Sequence, residues 1–109
     1  MAGCVQVQAT AGSFEEAERL AAAVLHPRLA ACVQVLGPIT SRYWWDGRLE
    51  TATEWLCLAK TTEDRADAVV AVMGAAHSYD TPEVLVLPVI GGHDGYLAWV
   101  DRTVHESGA

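Results

Sequence analysis

Apolar and polar positions alternate or recur along the chain in seven segments, each with a recognisable period. Cys4 to Ala9 alternates with period two, with Val5, Val7 and Ala9 on one face and Cys4, Gln6 and Gln8 on the other, which predicts a strand. Ser13 followed by Glu16 has the spacing of a capping box. Phe14, Ala17, Leu20, Ala21, Val24 and Leu25 then form a stripe at helical spacing, so a helix runs from there until Pro27 stops it. Ala30 to Leu36 reads as a second strand that passes through a bulge or kink at Gly37-Pro38 towards Trp45. Asp46-Gly47 is a hairpin signal, and Arg48 to Lys60 returns as the third strand. Thr61 or Thr62 caps a second helix, with Glu63 and Asp64 at its positive end and Ala66, Val69, Val70, Met73 and Ala76 along its apolar side. Val84 to Leu87 is apolar at every position, which predicts a strand buried on both faces. After Gly91-Gly92, Asp94 caps a last helix carrying Tyr96, Leu97, Trp99 and Val100.

The order β-α-β-β-α-β with a C-terminal helix predicts an α+β, ferredoxin-like sandwich: one four-stranded antiparallel sheet with two helices on one face, in a single domain over residues 1–109. The other face of such a sheet is open in a lone chain. Trp55, Cys57 and Ala59 share a face of the third strand, and we read that face as one buried by oligomerisation. If Val5, Val7, Val33, Val35, Leu56 and Leu58 all face the helices, then Cys4, Cys32 and Cys57 face away with Gln6, Gln8, Gln34 and Trp55.

Composition supports this picture and removes others. Hydrophobic residues make up 51% of the 109 positions, more apolar surface than a small single domain hides by itself, so part of it is expected against another chain. With 7 Lys and Arg and a net charge of −7, phosphate neutralisation is out of reach, and no nucleic-acid partner is expected. The longest apolar run, Val84 to Ile90, is too short to span a bilayer, and Met1-Ala2-Gly3-Cys4 shows neither a leader nor a lipidation motif. The three cysteines lack CxxC spacing and fit a reducing compartment, so a cytoplasmic protein without a membrane partner is expected.

Several residues carry candidate chemistry. Thiolates suit Cu(I) and Zn(II), so cysteines gathered on one sheet face are candidate ligands, although buried packing is the commoner role of a cysteine. His77, Tyr79, Asp80 and Glu83 form the densest polar cluster, around Pro82. They read either as cation ligands, as a small-molecule pocket shared with Lys60, or as a plain helix end followed by a turn into the strand. Tyr43-Trp44-Trp45 sits on the hairpin without interleaved basic residues. These aromatics are read as anchors on a neighbouring subunit in preference to a base-stacking platform. Thr40-Ser41 has no His-Asp partner nearby in sequence, and neither a P-loop nor a GxGxxG occurs, so no catalysis is expected.

Five segments in order, Arg28-Leu29-Ala30-Ala31-Cys32-Val33, Tyr43-Trp44-Trp45-Asp46-Gly47, Lys60-Thr61-Thr62, Tyr79-Asp80-Thr81-Pro82-Glu83 and Tyr96-Leu97-Ala98-Trp99, resemble the CutA divalent-cation tolerance proteins. The resemblance implies a homotrimer whose long hairpins pack sheet to sheet around a threefold axis, and the hairpin aromatics and the third-strand face read above make Tyr43, Trp45, Trp55 and Cys57 its expected interface residues. It implies non-catalytic binding of copper or another divalent cation such as zinc, with no required cofactor and with Cys32, His77 and Glu83 as candidate ligands. Cys32 falls at the family's recurrent cysteine, whereas Ser78 stands where the family usually has proline. The alternative is a ligand-sensing trimer similar to the nitrogen-regulatory signal-transducer proteins. There Lys60 and Tyr79 would line an intersubunit cleft together with Glu83, closed by Trp44 or Trp45; the short Asp46-Gly47 turn counts against it.

Overall fold

The structure is a computed structural model, and it describes residues 3–106. The leader and lipidation readings on Met1 and Ala2, and the last three positions of the expected domain, lie outside the described residues.

Seven elements follow one another: β1 (Cys4–Ala11), α1 (Phe14–Leu25), β2 (Cys32–Trp45), β3 (Arg48–Thr62), α2 (Glu63–Ala76), β4 (Val84–Pro88) and α3 (Asp94–His105). They form one antiparallel sheet in the order β2-β3-β1-β4. Each β-α-β unit therefore leaves a gap that a third strand fills: β3 lies between β1 and β2, and β1 lies between β3 and β4. This is the ferredoxin-like topology.

Strand pairing settles which residues face the helices. Val5, Val7, Ala9 and Ala11 stand opposite Thr61, Ala59, Cys57 and Trp55, so these two sets share one face. Ala17, Leu20 and Val24 of α1 and Ala66, Val69 and Met73 of α2 cover it, and the resulting core is closed to solvent. Small residues on the sheet let the helices approach closely: the Cys57 thiol lies 3.3 Å from the Ala17 carbonyl, to which it donates. The expected parity of β3 is thus reversed. Leu56 and Leu58, opposite Thr10 and Gln8, face away from the helices, while Trp55 and Cys57 lie on the helix side. Both parities of this strand are apolar, so alternation alone did not discriminate between them. Cys57 is a core residue rather than an interface residue, and Trp55 packs against the same core.

Beyond the level of Ala11, β2 and β3 leave the sheet as a two-stranded arm of seven residue pairs, from Ile39–Glu54 to Trp45–Arg48, about 20 Å long. One extra residue on β2 between Leu36 and Ile39 makes a bulge at its root. Glycine is required at position 37, because a methyl there would collide with the Trp55 indole. At the tip, Asp46 (φ 52°) and Gly47 (φ 75°) are both left-handed, as a type I′ turn demands.

Helix ends depart from expectation in instructive ways. Ser13 caps α1 by accepting from the Glu16 amide, but the Glu16 carboxylate does not return to Ser13; it is committed elsewhere. Thr62 occupies the cap position of α2 and spends its hydroxyl on Asp64. His93, not Asp94, caps α3. Phe14 and Ala76, placed on the helical stripes by spacing, are exposed at the helix ends. In the single chain β4 is an edge strand, so its expected burial on both faces is not met: Leu85, Val86 and Leu87 are exposed.

α3 wraps the end of the sheet opposite the arm. Val100 and Val104 are buried, Arg28 donates to the Thr103 carbonyl, and His105 meets Asp64 at the start of α2.

Candidate functional site

The most elaborated polar structure lies where the hairpin arm leaves the sheet and the α2–β4 connection folds back against it. Hairpin residues Ser41, Tyr43 and Trp45, together with Glu54 opposite Ile39, form one wall. Thr10 at the end of β1 contributes the floor, and Tyr79, Asp80, Thr81 and Glu83 form the other wall of a cleft of about 670 Å³. By register, Glu54 has the same parity as Leu56 and Leu58, so the cleft opens on the sheet face that the helices leave bare.

Two carboxylates hold this cleft together: Glu54, which the sequence did not single out, and Glu16, which it offered only as a capping residue. Glu16 is buried (3% exposed). It accepts from the Ser78 amide at 2.9 Å and the Gly12 amide at 3.3 Å, which clips the connection onto the start of α1. Burial raises its pKa, but the hydrogen bonds from Ser78 and Gly12 and the nearby His77 outweigh that, so the carboxyl stays below its ordinary value. Glu54, 6% exposed, accepts from the Tyr79 hydroxyl at 3.2 Å. Burial and then the Glu54 charge push the Tyr79 phenol up, so it remains a donor. The available sequence signal was an acidic residue continuing the Leu58, Leu56 parity of β3, a position that an ordinary strand would leave apolar.

His77 orients the connection and does so with both ring nitrogens. Nε2 lies 2.6 Å from the Thr10 carbonyl, which can only accept, so it carries the proton; Nδ1 then accepts from the Tyr79 amide at 3.0 Å. Its ring leans on Tyr79 with centroids 4.7 Å apart. The Tyr79 hydroxyl passes close to the backbone at Gly12, where a methyl would stand 2.9 Å from it and displace the phenol. Ser78 supplies the amide that Glu16 binds; a proline at that position would have none.

The expected site residues divide between separate places. Tyr79 and Glu83 line the cleft, and so do Tyr43 and Trp45. Lys60 does not: its ammonium donates to Gln34 at 2.8 Å on the open sheet face. Trp44, 73% exposed near the hairpin tip, does not line it either. Cys32, His77 and Glu83 are not brought together. Cys32 is level with Lys60 and Gln6, Glu83 touches Gln8, and His77 touches Thr10, which spreads them over roughly 13 Å along β1. Among the described residues no group of three or more His, Cys, Asp or Glu side chains is placed to hold a metal ion.

Two thiols do share the open face, Cys4 and Cys32, separated by β3. Tyr96 of α3 lies over them; burial, then the Cys32 thiol beside it, raises its phenol. Burial also raises Cys4, against the pull of Lys60, and pushes buried Cys57 up to about 11, so neither is disposed to ionise as a soft ligand must.

Comparison with known proteins agrees with this architecture. The profile of the CutA1 divalent ion tolerance protein family matches residues 5–103. Divalent-cation tolerance protein CutA of Archaeoglobus fulgidus is 43% identical over 95 residues, covering 87% of this chain and 92% of that protein. Protein CutA 1, chloroplastic, of Oryza sativa is 40% identical over 103 residues, covering 94% of this chain and 58% of that longer protein. Among solved structures, CutA1 from Oryza sativa superposes with a TM-score of 0.91 at 39% identity, covering 97% of each chain. The periplasmic divalent cation tolerance protein CutA from Archaeoglobus fulgidus gives 0.90 at 40% identity, covering 94% of this chain and 99% of that one. Shared sequence over nearly the whole length and a shared α+β fold lead to one conclusion: the chain belongs to the CutA1 divalent ion tolerance protein family.

Proposed function

We propose that this protein is a non-catalytic homotrimer that binds copper or another divalent cation, requires no cofactor, and supports tolerance of such ions. The observation that carries the assembly is the sheet face turned away from α1 and α2, where Leu36 at one edge and Leu85 and Leu87 at the other are exposed, and which the half-buried Cys4 and Cys32 share. A second sheet laid on that face, with the hairpin arm and its Tyr43, Trp44 and Trp45 reaching a neighbour, removes that apolar area from water. Among the described residues of one chain no three ligating side chains come together, so in this reading the ion takes donors from more than one protomer. Cys32 and Glu83 are the candidates, whereas His77 would first have to surrender its bonds to Thr10 and Tyr79. Three unpaired cysteines suit a cytoplasmic setting. No helix of the described residues is long and apolar enough to cross a membrane, and the −7 charge argues against nucleic acid.

Native mass spectrometry of chelator-treated protein, titrated with Cu(I), Cu(II) and Zn(II), tests this. The reading expects a trimer that takes up ions in threes and loses them in Cys32→Ser. A trimer indifferent to all three ions overturns metal binding, and a monomer overturns the assembly.

The cleft favours a second reading, a ligand-sensing trimer similar to the nitrogen-regulatory signal transducers, with Tyr79 and Glu83 in the binding wall and Trp45 closing it. A thermal-shift screen with nucleotides, organic anions and organic amines tests it; stabilisation by none of them removes it.

A further inference from the structure

We propose that the cleft at the root of the hairpin arm takes a small aliphatic amine bearing two or more ammonium groups. The inference rests on the second reading above, that the cleft holds a small molecule, and names the class.

Glu54 is the starting point. It is more than nine-tenths buried, and its only described hydrogen bond is the one from Tyr79 to a single carboxylate oxygen. None of the described ion pairs involves it. A carboxylate largely withdrawn from water and without a paired cation favours an arriving positive charge. A metal ion suits this place poorly, since among the described residues no three ligating side chains converge and the space is far larger than an ion requires.

The rest of the lining specifies the shape of the cation. Tyr43, Trp45 and Tyr79 present aromatic surface on both walls, which favours alkylammonium groups through cation–π attraction and takes up the methylene chain. Asp80 and Glu83 add two more carboxylates further along the cleft, too dispersed to chelate but suited to a second ammonium. Against these three carboxylates the lining contains one guanidinium, that of Arg42, so a cation meets net negative charge.

Isothermal titration of the full-length protein with putrescine and spermidine tests the proposal, with butanediol as the neutral isostere and butylamine as the single-charge control. The expected result is saturable binding at one site per chain, stronger for spermidine than for butylamine, with no heat from butanediol. Glu54→Gln weakens it about tenfold or more without changing the oligomeric mass. Should Glu54→Gln fail to fold, the Asp80→Asn, Glu83→Gln double variant, both of whose sites are exposed, serves instead and should erase the preference for spermidine over butylamine. Absence of saturable binding, or undiminished binding in these variants, overturns the proposal; a neighbouring protomer filling the cleft produces the first of these. Thermal shifts separate its failure from that of the parent reading. Stabilisation by organic anions but not by amines overturns the amine alone, and stabilisation by neither removes both.

Discussion

The two faces of the sheet are made from the same strands, yet they differ in kind. On the helix side, Val7, Ala9, Cys57 and Ala59 meet Leu20, Val24 and Met73 with no solvent exposure, and the chain satisfies that face by itself. On the other side Gln6, Gln8 and Lys60 are interleaved with Leu36, Leu58, Leu85 and Leu87, and the single chain leaves much of that leucine surface bare. The small residues lie under the helices because a helix must come close to a sheet to exclude water; the large ones lie where nothing in this chain constrains the distance. One face thus answers to the fold, and the other to whatever the protein meets.

The largest effect should come from breaking the closed face. Leu20→Ala removes a fully buried side chain between α1 and the sheet and is expected to lower the unfolding free energy by about 3 kcal/mol in urea titrations, at any protein concentration. Leu85→Ala on the open face should shift unfolding only in a concentration-dependent way, because that residue counts when another chain covers it. A shift from Leu85→Ala that ignores concentration would remove the open face as an interface.

Thiol chemistry sharpens the contrast with a smaller perturbation. Cys57 should react with an aromatic disulfide reagent only when the whole chain unfolds, being buried with its pKa pushed up to about 11. Cys4 and Cys32 lie on the open face and should label faster as the protein is diluted. Equal rates for all three thiols would mean that the faces are misassigned.

The smallest effect concerns α3, which joins the two sides around the end of the sheet. His105 donates to Asp64 at 2.7 Å; that bond, then the Asp101 carbonyl, raises the imidazole above its ordinary value of 6.5. Hydrogen bonds from Thr62 and then His105 lower Asp64 to about 2. The imidazole contribution is complete below pH 6.5 and fades as pH rises through its raised pKa. The carboxylate contribution is complete above pH 3.8 and fades as pH falls towards 2. Amide protection of α3 should therefore be greatest between those limits, and His105→Gln should flatten the profile. Because both groups are solvated, the amplitude should be slight.

Much of the fold was legible because it follows from local patterns. The stripe of Ala17, Leu20 and Val24 and the alternation of Val5, Val7 and Ala9 each have one apolar side, so their placement leaves no choice. Asp46-Gly47 admits one kind of turn. The cleft was legible in part: Tyr79 and Glu83 were noticed for their chemistry, but Lys60 and Trp44 were added by association and lie elsewhere. Glu54 escaped because it reads as an ordinary polar residue on a strand, and Glu16 was read only as a helix cap, since their partners Tyr79 and Ser78 arrive from more than twenty residues away.

The sequence by itself determined the seven elements, their order and the family, since helical and strand periods are properties of neighbouring residues. Only the tertiary structure decided which side of β3 meets the helices. Trp55, Cys57 and Ala59 are as apolar as Leu56 and Leu58, so the choice falls to their pairing with β1 and to the closeness of α1. It likewise decided that Cys32, His77 and Glu83 stand apart, because strand register and not spacing along the chain sets those distances.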